Sequence, residues 1–140
     1  MRAMTICAAL VVLFSVAPSA LPAQDNHNVD ESAARGKIVF GQNCLACHQA
    51  DGSGVPNLAP PLVKGAFVSG DKARVIGIVM KGMQGVEING EYYANPMPSF
   101  SFLSDQEIAD VLTFVRSNFS NSATAVTGED VAEARKNLKP

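Results

Sequence analysis

The chain has few of the residues that build metal clusters, and it lacks the long apolar or basic stretches that mark membrane spans and nucleic-acid surfaces. Its 140 residues include no tryptophan, two histidines and three cysteines. A structural zinc site takes four ligands, usually from two pairs. One Cys-x-x-Cys occurs, no second follows it, and the histidine outside it, His27, lies in a polar stretch. The ligand count therefore argues against zinc. A thioredoxin-like dithiol expects a βαβ setting, which the sequence does not show, and a plain disulfide is the lesser alternative for the pair. Basic residues number 11 against 13 acidic, so nucleic acid is a poor partner.

The longest apolar run, Ile6 to Val16, is too short to span a bilayer. It follows the positive Met1-Arg2 and precedes Pro18-Ser-Ala-Leu-Pro-Ala23, the layout of a secretory signal peptide. Residues 1–23 are expected to be a removed leader, with Gln24 first in the mature chain. Cleavage after Ala20 and retention as an uncleaved anchor are the alternatives. Cys7 leaves with the leader. Loss of Arg2 turns 11 basic residues into 10 against 13 acidic, so the formal charge moves from −2 to −3. The remainder suits one small domain, with no stable membrane insertion once the leader is gone.

What is present is concentrated in Cys44-Leu-Ala-Cys47-His48. Two cysteines three apart, followed at once by histidine, form the signature for attachment of a c-type haem. Each thiol reaches one of two vinyl groups on one edge of the porphyrin, and the next residue turns its imidazole toward the iron. One helical turn of backbone accomplishes both. Cys44 and Cys47 are thus the candidate thioether anchors of one covalently bound haem c, and His48 the candidate proximal ligand.

The rest of the chain reads as helices joined by loops. Residues 24–31 form a polar, flexible lead-in. Asp30 or Ser32 caps a helix running to about Gln42, in which Gly36 and Phe40 share a face and Gly36 marks a place where another helix crosses closely. The glycine- and proline-rich segment 49–62 is a loop that wraps one side of the haem. Within it Pro61 is the candidate carbonyl acceptor for the second imidazole nitrogen, and Leu62 folds toward the porphyrin edge. Turn prolines and a core leucine are the equally open reading. Ser69 to Asp71 caps a helix over 72–81, with Val75, Ile76, Val79 and Met80 in one apolar stripe and Gly82 ending it.

Asn89-Gly90 between two short β-prone runs predicts a small hairpin, because both central residues of a type I′ turn need positive φ. Tyr92 and Tyr93 pack there or reach a haem propionate. Met97 follows between Pro96 and Pro98, which keep the backbone extended and hold the sulfur without helix or sheet support. That suits an axial thioether. Met97 as apolar filler, and Met80 or Met83 as rival sulfurs, are the alternatives, with Met80 on the packed stripe. Ser104 to Glu107 is a capping box opening a helix to about Asn118, whose Val111 and Phe114 are expected against Gly36 and Phe40. After a polar link, Thr127 to Asp130 caps a last helix along the domain surface, so residues 120–140 read as linker and surface helix.

Cys-x-x-Cys-His at 44–48, Pro-Pro-Leu at 60–62, Met-Pro-Ser-Phe at 97–100 and Leu-Ser-Asp-Gln-Glu at 103–107 together resemble the class I cytochromes c. The likeness covers Ser32 to Phe119, with the domain at 32–119. It implies an all-α fold, about four to five helices around one haem with a short β-hairpin before the axial methionine. The hairpin and the tail Ala125 to Val131 are also similar to cytochrome domains of bacterial alcohol dehydrogenases and copper nitrite reductases. The family likeness implies export to the periplasm and one-electron transfer, with His48 and Met97 filling both axial positions. It implies redox-protein donor and acceptor docking transiently at an exposed haem edge near Ala46, Val55 and Pro98, and no enzymatic turnover. A haem relay subunit of a dehydrogenase, oxidase or nitrite reductase complex is the alternative, and a ligand-binding or peroxidatic haem protein the lesser one.

Overall fold

Two capping boxes set the borders of the C-terminal helices. Ser104 accepts from the Glu107 backbone amide while the Glu107 carboxylate accepts from the Ser104 amide, and Thr127 and Asp130 repeat the exchange. These pairs satisfy amides that a helix N-terminus otherwise leaves unbonded. A computed structural model describes residues 26–138, with side chains from Asn28 onward; the expected leader, 1–23, lies outside them. The described helices are α1 Asn26–Asn43, α2 Leu45–His48, α3 Ala66–Ser69, α4 Lys72–Lys81, α5 Asp105–Ser117 and α6 Gly128–Asn137. Among the described residues the only β structure is three isolated antiparallel bridges, Val55 with Ala59, Met83 with Met97, and Ile88 with Glu91. The chain is all-α, as expected.

The start of α1 differs from the sequence expectation. It begins at Asn26, inside the stretch read as a flexible lead-in. Once a helix is nucleated, each further residue adds a hydrogen bond at little entropic cost, and this nucleus is anchored by tertiary contacts. Ser32 Oγ donates to Asp110 at 2.6 Å, Arg35 Nε donates to the same carboxylate at 2.7 Å, and Gln106 joins them at 2.8 Å. The four-residue α3 is also unread in the sequence, being too short to show a period.

Gly36 is where α1 crosses α5. A Cβ built there would lie 1.9 Å from the Asp110 carbonyl oxygen and 2.9 Å from Phe114 Cβ, so the two backbones meet with no room for a side chain. One turn along, Phe40 packs on Phe114 and Phe119 with ring centroids 5.4 and 5.5 Å apart. The expected face of α4 is in the core, with Ile76 and Met80 buried, and Asp71 caps it by accepting from the Arg74 amide.

The C-terminal segment is more than a surface appendage. Val131 of α6 is completely buried and Ala134 joins the same core, while Lys72 to Asp130 and Arg135 to Asp105 ion pairs tie α6 to α4 and α5. The stretch read as a polar link is stapled down as well. Buried Asn121 donates to the Leu62 and Val115 carbonyls at 2.9 Å each, and Arg116 donates to the Gly70 and Thr124 carbonyls at 3.0 and 2.8 Å. These polar staples hold the loop that carries residues 60–62 against α5.

Candidate functional site

α2 is one turn long, and the hydrogen bonds from the Cys47 and His48 amides to the Cys44 carbonyl close it at 3.2 and 3.0 Å. Positions three apart lie on one face of such a turn, and Cys44 and Cys47 line the same cleft as His48. The two do not pair in a disulfide; Cys44 is half-buried and Cys47 exposed. Burial, with a smaller effect from Cys47, pushes the Cys44 thiol up to about 11. His48 is 9% exposed. Burial holds its imidazole below the ordinary value, and the Pro60 carbonyl pulls the other way. The neutral ring is the form that ligates metals.

The imidazole acceptor is Pro60, not Pro61. His48 Nδ1 lies 3.0 Å from the Pro60 carbonyl oxygen, which leaves Nε2 as the ring nitrogen for a metal. The one-residue shift comes from the Val55–Ala59 bridge, which closes a tight loop, and from Gly54, whose Cβ would stand 2.4 Å from the Ala59 carbonyl and 2.7 Å from that of Pro60. The pinned loop turns the Pro60 carbonyl inward and leaves Pro61 exposed. Pro61 and half-buried Leu62 still line the apolar part of the cleft.

Met97 is held by more than its two prolines. Its amide donates to the Met83 carbonyl at 2.9 Å and its carbonyl accepts from the Met83 amide at 3.0 Å, so a bridge supports the backbone where none was expected. The following residues satisfy the free carbonyls at the end of α4: Ser99 Oγ donates to Met80 at 2.5 Å and the Phe100 amide to Val79 at 2.9 Å. Gly82 permits this approach, with φ 77° and a virtual Cβ 2.4 Å from the Met97 carbonyl oxygen. The Asn89-Gly90 turn forms as expected, with φ 54° and 85°, but its arms pair only through Ile88 and Glu91; it brings Tyr93 to the rim while Tyr92 faces outward. Sequence reasoning missed Pro60, the Met83 pairing and Ser99, and no local pattern marks any of them.

The cleft has two adjoining lobes. Cys44, His48, Pro60, Met83, Met97 and Phe100 border both, and Phe40, Leu62, Val75, Val79 and Leu112 line the larger. A c-type haem fits this set. Two thiols stand at the mouth, a neutral imidazole has one nitrogen engaged, and soft thioethers and an apolar wall are on hand to enclose a flat macrocycle.

Comparison with known proteins agrees. The Cytochrome c family model matches residues 33–119. The chain is 36% identical over 110 residues to the gluconate 2-dehydrogenase cytochrome c subunit of Pantoea cypripedii, covering 76% of this chain and 25% of that one. It is 35% identical over 108 residues to the cytochrome c subunit of the quinone alcohol dehydrogenase of Gluconobacter oxydans, at 75% and 23% coverage. To cytochrome c-552 of Thermus thermophilus it is 32% identical over 118 residues, at 76% and 89%. The chain therefore spans about a quarter of the dehydrogenase subunits and most of the c-552. With the motif, the helical fold and the cleft in agreement, the chain belongs to the cytochrome c family, which carries covalently bound haem c.

Proposed function

We infer that this is a periplasmic one-electron carrier whose haem is anchored through Cys44 and Cys47 and ligated by His48 and Met97. The supporting observation is that all four side chains border one apolar cleft. When bound, the haem supplies an Fe(III)/Fe(II) couple, and His/Met ligation raises its potential. The chain's own groups do the tuning. The Pro60 carbonyl accepts from Nδ1–H of His48, which fixes the tautomer and orients the ring. Leu62, Val75 and Phe100 exclude water from the cleft, which disfavours the more highly charged oxidation state.

With His48 and Met97 both holding the iron, no coordination site would be left for a substrate, and the protein would serve as a carrier without enzymatic turnover. Electrons enter and leave through a redox-protein donor and acceptor docking at the cleft mouth, where Val86 is 42% exposed beside exposed Pro98. Ala46 is exposed on α2, next to Cys47, and Val55 is half-buried. Transient redox contacts are small, in keeping with a patch of this kind. Among the described residues no helix is long and apolar enough to cross a membrane.

Visible spectra of the purified protein test the ligation. Wild type should be low-spin in both oxidation states, with a sulfur-to-iron charge-transfer band at the red end of the ferric spectrum. Met97→Ala should alter that band. A band unaltered in Met97→Ala but lost in Met83→Leu removes Met97 from the iron, and a wild type without the band that binds carbon monoxide or peroxide at once is a ligand-binding or peroxidatic protein instead. A second reading, a haem relay within a dehydrogenase, is favoured by the relatives named as dehydrogenase subunits. Native purification separates the two: the carrier elutes alone, the relay in fixed stoichiometry with a partner.

A further inference from the structure

We propose that Met83 is a reserve axial ligand, a second thioether placed beside Met97 that takes the sixth iron position when Met97 leaves it. The inference rests on the ligation by His48 and Met97 stated above. Met83 and Met97 exchange both backbone hydrogen bonds, at 3.0 and 2.9 Å. Residues so paired in an antiparallel bridge stand directly opposite each other and project to the same face, with Cβ atoms about 5 Å apart. Both side chains accordingly border both lobes of the cleft. Met80, the other methionine nearby, is sequestered in the core with 5% exposure and borders neither lobe.

The order of preference between the two sulfurs follows from their backbones. Met97 sits between Pro96 and Pro98, which restrict its dihedrals before any ligand binds. Met83 follows Gly82, the most permissive residue for the chain, and has no proline on either side. Ordering Met83 on a ligand therefore costs more conformational entropy, and Met97 holds first place. A leucine at position 83 would fill the same apolar space, so packing alone does not call for sulfur there.

The test compares wild type, Met83→Leu, Met97→Leu and the double variant as holoproteins by ferric spectroscopy and imidazole titration. Met97→Leu should keep a thioether charge-transfer band, and the double variant should lose it. If Met83 holds the position nine-tenths of the time, imidazole should bind the double variant about tenfold more tightly than Met97→Leu. Loss of the band in Met97→Leu to the same extent as in the double variant overturns the reserve role and leaves Met97 as ligand. Loss in Met83→Leu with retention in Met97→Leu overturns both readings, since Met83 is then the ordinary ligand. Where Met97→Leu fails to mature, Met97→Ala takes its place: a thioether band that is kept in Met97→Ala and removed by adding Met83→Leu supports the placement, and loss of the band in Met97→Ala alone overturns it.

Discussion

Gly82 and Gly77 lie five positions apart at and within α4, and replacing each by alanine should have opposite effects. Gly82 has φ 77° and ψ −178°, a region that costs a residue with a Cβ about 1–3 kcal/mol. The added methyl would also meet the Met97 carbonyl oxygen at 2.4 Å and the Pro98 carbonyl carbon at 2.9 Å. Both are backbone atoms, so relief requires the Met97 loop to move and the Met83–Met97 pair to open, at about 1 kcal/mol per hydrogen bond. The total for Gly82→Ala, with both bonds of the pair lost, is roughly 3–5 kcal/mol. Gly77 sits mid-helix with nothing within 4 Å of a virtual Cβ, and Gly77→Ala should stabilise by about 0.5–1 kcal/mol. Denaturant titration of the two holoproteins reads the stability, and the ferric charge-transfer band reads whether the paired Met83 and Met97 segments still present a thioether to the iron. Gly82→Ala should weaken or lose the band, whereas Gly77→Ala keeps it. A Gly82→Ala protein as stable as wild type with an intact band would refute the claim that α4 holds the axial loop by close backbone approach.

Gly36→Ala forces α1 from α5, because the methyl would stand 1.9 Å from the Asp110 carbonyl oxygen; overpacking less the gain in helix propensity leaves a net loss of about 1–3 kcal/mol, measured as a lower thermal midpoint. Asp110→Asn should cost about 2 kcal/mol, since a buried acceptor of bonds from Ser32, Arg35 and Gln106 is weakened and Arg35 is too exposed for the full value of a buried pair. Burial pushes the Asp110 carboxyl up, but the bonds from Arg35, Ser32 and Gln106 outweigh it and hold the group below its ordinary value of 3.8. Its contribution is therefore fully present above that value and disappears as pH falls through the lower folded one. Denaturation midpoints against pH should show a shallower acid limb below about pH 4 in Asp110→Asn; an unchanged limb would remove Asp110 from the acid response.

Features that depend on neighbours in the chain were legible without coordinates. The Asp71 cap and Gly82 stop bracket α4 at the residues their chemistry indicates. Ser104 with Glu107 and Thr127 with Asp130 start α5 and α6, and Asn89-Gly90 turns with both φ positive. The close crossing at Gly36 and Phe40 was also readable, because glycine mid-helix is costly unless something fills the space it leaves. The acceptor of His48 was misread by one residue because a short bridge in a glycine-rich loop has no periodic signature, and the N-terminal extension of α1 was missed because its residues are polar and its anchor, Asp110, is 78 positions from Ser32.

By itself the sequence determined the Cys-x-x-Cys-His turn, the borders of α4, α5 and α6 and the residue types offered at each candidate position, since these rest on residue chemistry and on interactions within about four positions. Only the tertiary structure decided which carbonyl orients the imidazole, which helix end carries the Met97 loop, and that a second methionine faces the same cleft. Those outcomes depend on how separate segments pack. A backbone hydrogen bond between distant residues forms where close packing of the core brings the strands of chain together, and residue type alone does not specify that register.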